Sequence, residues 1–316
     1  MDGDRSDSES TYPGWKPRWK RRGNAWRLAA SAGAGMKEQA TGSETMATTK
    51  FQVGDITIHR VVEQEAPFFD PLEFFPNLTK EVLDENRDWM TEGGYLDANG
   101  QMVLCIQSYL VQTPHHNILI DSCVGNHKPL PHRPKWHLME TKYLERLKTV
   151  GVEPDRVDMV MCTHLHVDHV GWNTRLENGK WVPTFRNAKY VFSRADYDHY
   201  LKLDSDPATG PVNAGSFRDS VLPVVEAGLT QMVDGAVQLD ENLAVEPAPG
   251  HTPGTIAIKF ESRGEKALFC GDILHHALQV YHPEWNSFAC ADAVGARRSR
   301  RAALEHCAGS GARLMP

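Results

Sequence analysis

The sequence predicts a layered α/β fold, because short apolar segments of strand length alternate with segments of helical spacing from residue 51 onward. The chain has 316 residues, of which 41% are hydrophobic, so it can bury a sizeable core. Strands and helices mix without a repeat of fixed period, which disfavours a solenoid, an all-α fold and an all-β fold. We therefore expect β-sheets covered by helices.

The predicted elements follow one another along the chain. Alternating apolar and polar residues over 51–60 predict two strands joined by a turn at Gly54 and Asp55. The other predicted strands cover residues 102–112, 117–121, 157–162, 190–192, 243–246, 255–260 and 267–270. Helices are predicted at residues 136–150, 195–203, 216–227 and 291–306, with a kink at Pro223.

Residues 64–100 show no clear strand and are rich in aromatic side chains. They carry Phe68, Phe69, Phe74, Phe75 and Trp89. Such a segment forms either a lid or substrate wall over a site, or a cover for one edge of a sheet. The pattern alone leaves both interpretations open.

Residues 1–48 differ from the rest of the chain, because they are rich in Ser, Gly, Ala and charge and have no periodicity that could bury a face. We expect a disordered tail, with the core domain beginning at residue 49. Residues 15–22 interleave Trp with Lys and Arg, which is typical of a solvated tail and also of a nucleic-acid or membrane-surface patch. The solvated tail is the favoured interpretation. The region lacks the apolar run of an export signal.

Composition disfavours several classes of function. A net charge of −7 gives no general reason to expect a nucleic-acid partner. Six cysteines are too few for a disulfide scaffold, and Cys105, Cys162 and Cys270 lie in apolar segments, which indicates a reducing, cytoplasmic compartment. The apolar runs are shorter than the roughly 20 residues that span a membrane. We expect a small-molecule substrate and neither a nucleic-acid nor a membrane partner.

Residues 163–169 carry the strongest chemical signal. His164, His166, Asp168 and His169 follow directly after an apolar predicted strand. Alternate residues of an extended segment project to the same side, so His164 and His166 are expected to point together. Imidazole and carboxylate groups are ligands of zinc and similar divalent ions. Three histidines and an aspartate at this spacing are hard to explain by packing, and the segment therefore predicts a metal site.

Two later segments supply further candidate ligands. His251 lies in a turn rich in glycine and proline at residues 247–254, and Asp272 follows the end of another predicted strand. Each is an ordinary turn residue when taken alone. Together with the first cluster, they add one nitrogen ligand and one carboxylate that could bridge two ions.

The three motifs H-x-H-x-D-H, G-H-T-P-G and G-D, in this order, resemble the motif set of the metallo-β-lactamase superfamily. The resemblance implies an αβ/βα sandwich and one hydrolase domain over residues 49–316. It implies that His164, His166 and His251 hold a first divalent ion, that Asp168 and His169 bind a second, and that Asp272 bridges the two. Asp121 matches an acid that supports the site without binding metal directly.

Within the superfamily, an aspartate at position 272 is similar to the pattern of the N-acyl homoserine lactonase and methyl parathion hydrolase group. This resemblance implies hydrolysis of lactones, esters or organophosphates by a hydroxide shared between two divalent ions, with zinc as the expected metal. Asp168 and Asp272 would be the catalytic residues that accept or pass on a proton. A tyrosine often assists in such lactonases, and the candidates here are Tyr190, Tyr197 and Tyr200.

The sequence departs from the family pattern in one place. The family has a last histidine ligand on a late loop after a helix, and the sequence ends at Pro316 without it. His275 and His276 follow Asp272 closely and His306 lies in a predicted helix, so none is expected to replace it. Either the C-terminal end is truncated or the second metal site is weakened.

Other interpretations compete with a lactone or ester hydrolase. A degenerate, non-catalytic family member would act as a binding protein; the missing ligand favours this view, and the intact Asp168 argues against it. A thioester hydrolase resembling glyoxalase II would need a helical C-terminal domain that the sequence does not show. An oxidative member using iron is a further alternative. A nuclease resembling the tRNA-processing branch is disfavoured, since the core has no extended basic arm.

Overall fold

A computed structural model describes residues 49–316. The tail predicted at 1–48, with its basic and aromatic segment, lies outside the described residues. The strands are β1 (Thr49–Val53), β2 (Ile56–Phe69), β3 (Met102–Gln112), β4 (Asn117–Ile120), β5 (Met159–Met161), β6 (Thr174–Glu177), β7 (Lys180–Pro183), β8 (Lys189–Ser193), β9 (Thr230–Val233), β10 (Val237–Gln238), β11 (Leu243–Pro247), β12 (Ile256–Ser262), β13 (Glu265–Phe269) and β14 (Arg313–Met315). The α-helices are α1 (Pro71–Phe74), α2 (Lys80–Glu92), α3 (Tyr143–Thr149), α4 (Val167–Val170), α5 (Arg194–Asp204), α6 (Leu222–Glu226), α7 (Leu278–Tyr281) and α8 (Ala293–Ser310).

Most of these strands form two sheets. The first has the order β1-β2-β3-β4-β5-β8-β9, in which β1 to β4 pair antiparallel and β4, β5, β8 and β9 pair parallel. The second has the order β10-β11-β12-β13-β14, antiparallel except for the parallel pair β13 and β14. A separate hairpin joins β6 to β7. The parallel strands need crossover segments, and these carry the helices.

The two sheets pack face to face, and each covers its other face with helices. In β4, Ile118 and Ile120 point into the core between the sheets, together with Ile258 of β12. The residue between them, Leu119, points to the opposite face and packs in the cluster that contains Tyr143 of α3. This alternation follows from the two-residue period of a strand.

The outer face of the second sheet packs against α8, where Ala303 contacts the cluster that includes Leu268 of β13. The layers are therefore helix, sheet, sheet and helix. This arrangement is the αβ/βα sandwich that the sequence predicts. Among the residues of this structure, no helix combines the length and the hydropathy needed to cross a membrane.

The structure corrects three predictions about secondary structure. Residues 64–100 are not all irregular, because β2 continues to Phe69 and α2 occupies Lys80–Glu92. The helix predicted at 136–150 begins only at Tyr143, since Leu138 has a positive φ of 51° that no α-helix accommodates. The hairpin of β6 and β7 was missed, although its turn residues Asn178 and Gly179 are a strong hairpin signal.

Lys128 is a buried cation that fixes this hairpin against the body of the protein. Its ammonium donates to Thr174 Oγ1 at 2.8 Å and Ser220 Oγ at 2.8 Å, and it lies 3.3 Å from Asp219 Oδ1. It also lies 3.6 Å from the ring centroid of Trp181. Burial lowers the pKa of Lys128 to about 8, although the Asp219 carboxylate opposes the shift.

The buried ammonium makes stability depend on pH. The folded-state pKa of Lys128 is about 8, whereas an unfolded lysine has a pKa of about 10.4. The unfolded chain therefore binds more protons in this window, and stability rises with pH. We expect the free energy of unfolding of the native protein to rise by about 2 kcal/mol relative to Lys128→Met between pH 7 and pH 10. Urea denaturation of both proteins at each pH measures this difference. An equal change in the free energy of unfolding with pH for the two proteins would contradict it.

Candidate metal centre

The candidate ligands lie on loops that follow the ends of strands in both sheets. The loop after β5 carries His164 and His166, and α4 begins directly after His166 and carries Asp168 and His169. The loop after β11 carries His251, and Asp272 follows the end of β13. The face-to-face packing of the sheets brings these segments together at one edge.

Four donor residues converge on one point. The potential ligand atoms of His164, His166, His251 and Asp272 all lie within 4.8 Å of one another. His166 Nδ1 lies 3.1 Å from His164 Nε2 and 2.8 Å from His251 Nε2. Asp272 Oδ2 lies 3.1 Å from His251 Nε2 and 3.7 Å from His164 Nε2.

These distances fit a tetrahedral metal ion. Zinc binds imidazole nitrogen at about 2.0–2.1 Å, so the ligand atoms of a tetrahedron lie about 3.3 Å apart. Four of the six separations among the donor atoms are 2.8 to 3.7 Å, and all six are within 4.8 Å. Three nitrogens and one carboxylate oxygen are also a donor set that suits zinc.

A second group of donors adjoins the first through Asp272. His169 Nε2 lies 3.3 Å from Asp272 Oδ1 and 3.9 Å from Asp168 Oδ2. The two oxygens of Asp272 therefore face different sets of donors, which is the arrangement required of a carboxylate that bridges two ions. The structure thus brings together all six residues that the sequence analysis named as metal ligands.

The ring nitrogens that point away from the cluster have partners of their own. His164 Nδ1 lies 3.2 Å from Thr163 Oγ1, and His251 Nδ1 lies 3.8 Å from Cys290 Sγ. His169 Nδ1 lies 2.9 Å from Asp121 Oδ2. Such contacts orient an imidazole so that its other nitrogen faces a metal ion.

Asp121 holds the loop after β5 in place. Its carboxylate accepts hydrogen bonds from Thr163 N at 2.7 Å and Thr163 Oγ1 at 2.8 Å, besides its contact with His169. Gly271 lets the chain after β13 approach Thr163 closely, because a Cβ at this position would lie 2.3 Å from Thr163 Oγ1. This geometry agrees with the supporting role expected of Asp121.

Three of the histidines, His164, His166 and His251, have lowered pKa values. Burial lowers the pKa of His164 and of His166 well below the usual range, and the neighbouring imidazoles lower it further. Burial also lowers the pKa of His251, although Asp272 opposes the shift. These rings are neutral at pH 7, so each keeps a lone pair for a metal ion.

His169 differs from the other three rings. Burial lowers its pKa, but the carboxylates of Asp272, Asp121 and Asp168 outweigh burial and raise the pKa well above the usual range. For Asp272, burial raises the pKa, but the imidazoles of His275 and His169 hold it well below the usual range. A cation bound by His169 would displace the proton from its imidazole and would be stabilised by the same carboxylates.

His275 lies beside the site, in contact with Asp272. The turn at Gly271–Ile273 folds the chain back, and His275 Nε2 lies 3.3 Å from Asp272 Oδ2 and 3.3 Å from Ser287 Oγ. Its Nδ1 is buried and has no hydrogen-bond partner among residues 49–316. His276 points elsewhere, and packs against Tyr95.

A cavity of about 670 Å³ opens over the cluster and includes His166, Asp168 and Asp272 in its wall. Much of the remaining wall is aromatic or aliphatic, with Phe69, Phe74, Leu104, Trp136 and Phe288. Two of these side chains, Phe69 and Phe74, come from the aromatic segment at 64–100. That segment therefore supplies part of a wall over the candidate site.

The three tyrosines named from the sequence do not line this cavity, as far as residues 49–316 show. Tyr190 is buried, where its hydroxyl donates to Asn173 O at 3.0 Å. Tyr197 and Tyr200 pack against Phe217. Tyr190 in particular has a structural role, because its hydroxyl is committed to backbone groups inside the core.

Two supporting carboxylates were missed by the sequence analysis. Glu63 of β2 accepts from Val124 N at 2.9 Å and from Trp172 Nε1 at 2.5 Å, and so ties the loop after Asp121 to the segment after α4. Asp196 of α5 contacts both histidine loops. Neither residue belongs to a local motif, and each lies among other charged or polar residues, so no sequence signal marked it.

An αβ/βα sandwich with histidine and carboxylate donors clustered at one edge defines a class of metal-dependent hydrolases. The sequence profile of the metallo-beta-lactamase superfamily matches residues 106–311, and the chain belongs to this superfamily. The family assignment drawn from the motifs is thereby confirmed.

Several characterised proteins are similar to this chain. The N-acyl homoserine lactonase AiiA of Bacillus thuringiensis subsp. kurstaki is 24% identical over 131 residues, which cover 41% of this chain and 44% of that protein. The chain thus matches less than half the length of this relative. The hydrolase AbOPH superposes with a TM-score of 0.70 at 23% identity, over 87% of this chain and 92% of that one. AidC, a dizinc quorum-quenching lactonase, superposes with a TM-score of 0.66 at 20% identity, over 84% and 88%.

Proposed function

We propose that the protein is a metal-dependent hydrolase that opens a lactone or cleaves an ester, and that it uses two divalent ions, with zinc as the native metal. The observation that carries the proposal is the convergence of three imidazole nitrogens and one carboxylate within 4.8 Å at the base of a cavity. The superfamily assignment and the similarity to lactonases support it.

The residues divide into two ligand groups in this proposal. His164, His166 and His251 would hold the first ion, Asp168 and His169 would hold the second, and Asp272 would bridge them. Bound ions supply Lewis acidity and lower the pKa of water toward neutrality. Asp168 lines the cavity beside the second group, where its carboxylate can accept a proton and return it to a leaving alkoxide.

The cavity indicates which substrates fit. The candidate ligands share its wall with aromatic side chains that include Phe288, which is 54% exposed. A substrate with a compact polar ester or lactone and an apolar arm would place the reacting carbonyl near the carboxylates and the arm along Phe69 and Phe74.

A panel of lactones and esters tests the proposal. The zinc-loaded protein is expected to hydrolyse members with an apolar arm faster than those without one, and turnover is expected to disappear after chelation and return with zinc. Product formation by chromatography measures the rate. Hydrolysis that persists after complete removal of metal would exclude the proposed mechanism. Binding without turnover of any member would favour a non-catalytic binding protein.

A further inference from the structure

Asp196 is a buried carboxylate that joins the two loops carrying the candidate histidine ligands. Its Oδ2 accepts hydrogen bonds from Leu165 N at 3.0 Å and from Thr252 Oγ1 at 2.9 Å. Its Oδ1 accepts a hydrogen bond from Gly254 N at 2.6 Å. Leu165 belongs to the loop after β5, whereas Thr252 and Gly254 belong to the loop after β11.

These contacts adjoin three of the four converging donors. Leu165 lies between His164 and His166, and Thr252 directly follows His251. One rigid group therefore sets the distance between the two loops at the point where their imidazoles face one another. We propose that Asp196 is a positioning residue that preorganises the metal centre, an inference that rests on the proposed function.

The close packing around Asp196 supports this role. A Cβ at Gly254 would lie 2.3 Å from Asp196 N and 2.8 Å from Asp196 Oδ1, so the last glycine of the G-H-T-P-G motif is required for the loop to reach α5. The carbonyl of Leu165 is also held, because it accepts a hydrogen bond from Asn213 Nδ2 at 2.8 Å. The backbone between His164 and His166 is therefore fixed from both sides.

The buried negative charge of Asp196 favours a cation bound nearby. The residue is fully buried, and its partners are two backbone amides and one hydroxyl, without a Lys or Arg among them. Burial of a carboxylate without a cationic partner is costly, and neutral groups could join two loops at lower cost. A cation bound to the adjacent imidazoles would offset part of this cost. Carboxylates behind the ligands tune metal affinity in many zinc sites.

The zinc affinity of the full chain, measured by competition with a chromophoric chelator, tests the inference. Asp196→Asn turns an amide NH₂ group toward N–H donors and is expected to weaken zinc binding by about 10- to 100-fold. Asp198→Asn, an exposed residue on the same helix, is the matched control and should bind zinc like the native protein. The absorption spectrum of the cobalt-substituted protein should change in Asp196→Asn and stay unchanged in the control.

Each outcome separates the inference from its alternatives. An unchanged zinc affinity in Asp196→Asn would overturn the positioning role, even if the metal-free variant melted at a lower temperature. Failure of the native protein itself to bind zinc would overturn the proposed function instead. If Asp196→Asn does not fold, Thr252→Val, which removes one of the three hydrogen bonds, decides the question. A several-fold loss of affinity supports the inference, and no loss overturns it.

Discussion

Replacing His166 with alanine is expected to abolish metal-dependent hydrolysis and leave the fold intact. Its Nδ1 faces both His164 Nε2 and His251 Nε2, so this ring completes the group of converging donors. A site with four ligands binds zinc with a free energy of about 10–16 kcal/mol. Loss of one ligand therefore removes about 3 kcal/mol, which lowers the zinc affinity on the order of 100-fold. Zinc titration and turnover on a lactone measure the effect.

The control for this variant is His132→Ala, which replaces an exposed histidine far from the donors in the sequence. It should bind zinc and turn over substrate like the native protein. Circular dichroism should show native secondary structure for both variants, because His166 is only partly buried. Native turnover by His166→Ala would disprove the role of this residue as a ligand.

Replacing Glu63 with alanine is expected to lower the free energy of unfolding by about 3 kcal/mol. The carboxylate is buried and accepts hydrogen bonds from Val124 N, Gly125 N and Trp172 Nε1. Alanine leaves these buried donors without an acceptor, and each such donor costs about 1–3 kcal/mol. Burial raises the pKa of Glu63 to about 6, although the hydrogen bonds lower it.

Urea denaturation at pH 7 measures this difference, with Glu65→Gln as the control on the same strand. Glu65 pairs with Arg60 at 3.3 Å, and its side chain is 49% exposed. Exposed ion pairs contribute about 0–1 kcal/mol, so the control should lose less than that. If Glu63→Ala were as stable as the control, Glu63 would not hold the loop after Asp121 in the way inferred here.

The sequence predicts the local part of the site well. The candidate ligands His164, His166, Asp168 and His169 lie within six positions. The change from strand to helix in this segment largely sets the directions of their side chains. His251 and Asp272 are weak signals alone, because they reach the site only through the packing of one sheet on the other. The family resemblance made their assignment possible.

The supporting residues could not be predicted in the same way. Glu63 meets Val124 across 61 residues, and Asp196 meets Thr252 across 56. No period or motif encodes such contacts. The contact of His275 with Asp272 could not be predicted either, because it depends on the tight turn that follows β13.

The number of zinc ions retained per chain tests whether Asp272 joins two metal ions in one centre. The purified protein is loaded with zinc, freed of excess metal and measured by elemental mass spectrometry. We expect about two ions per chain, the number that a centre bridged by Asp272 would hold. A folded protein that retains one ion or none would contradict this expectation, because Asp272 would then have no second ion to bridge.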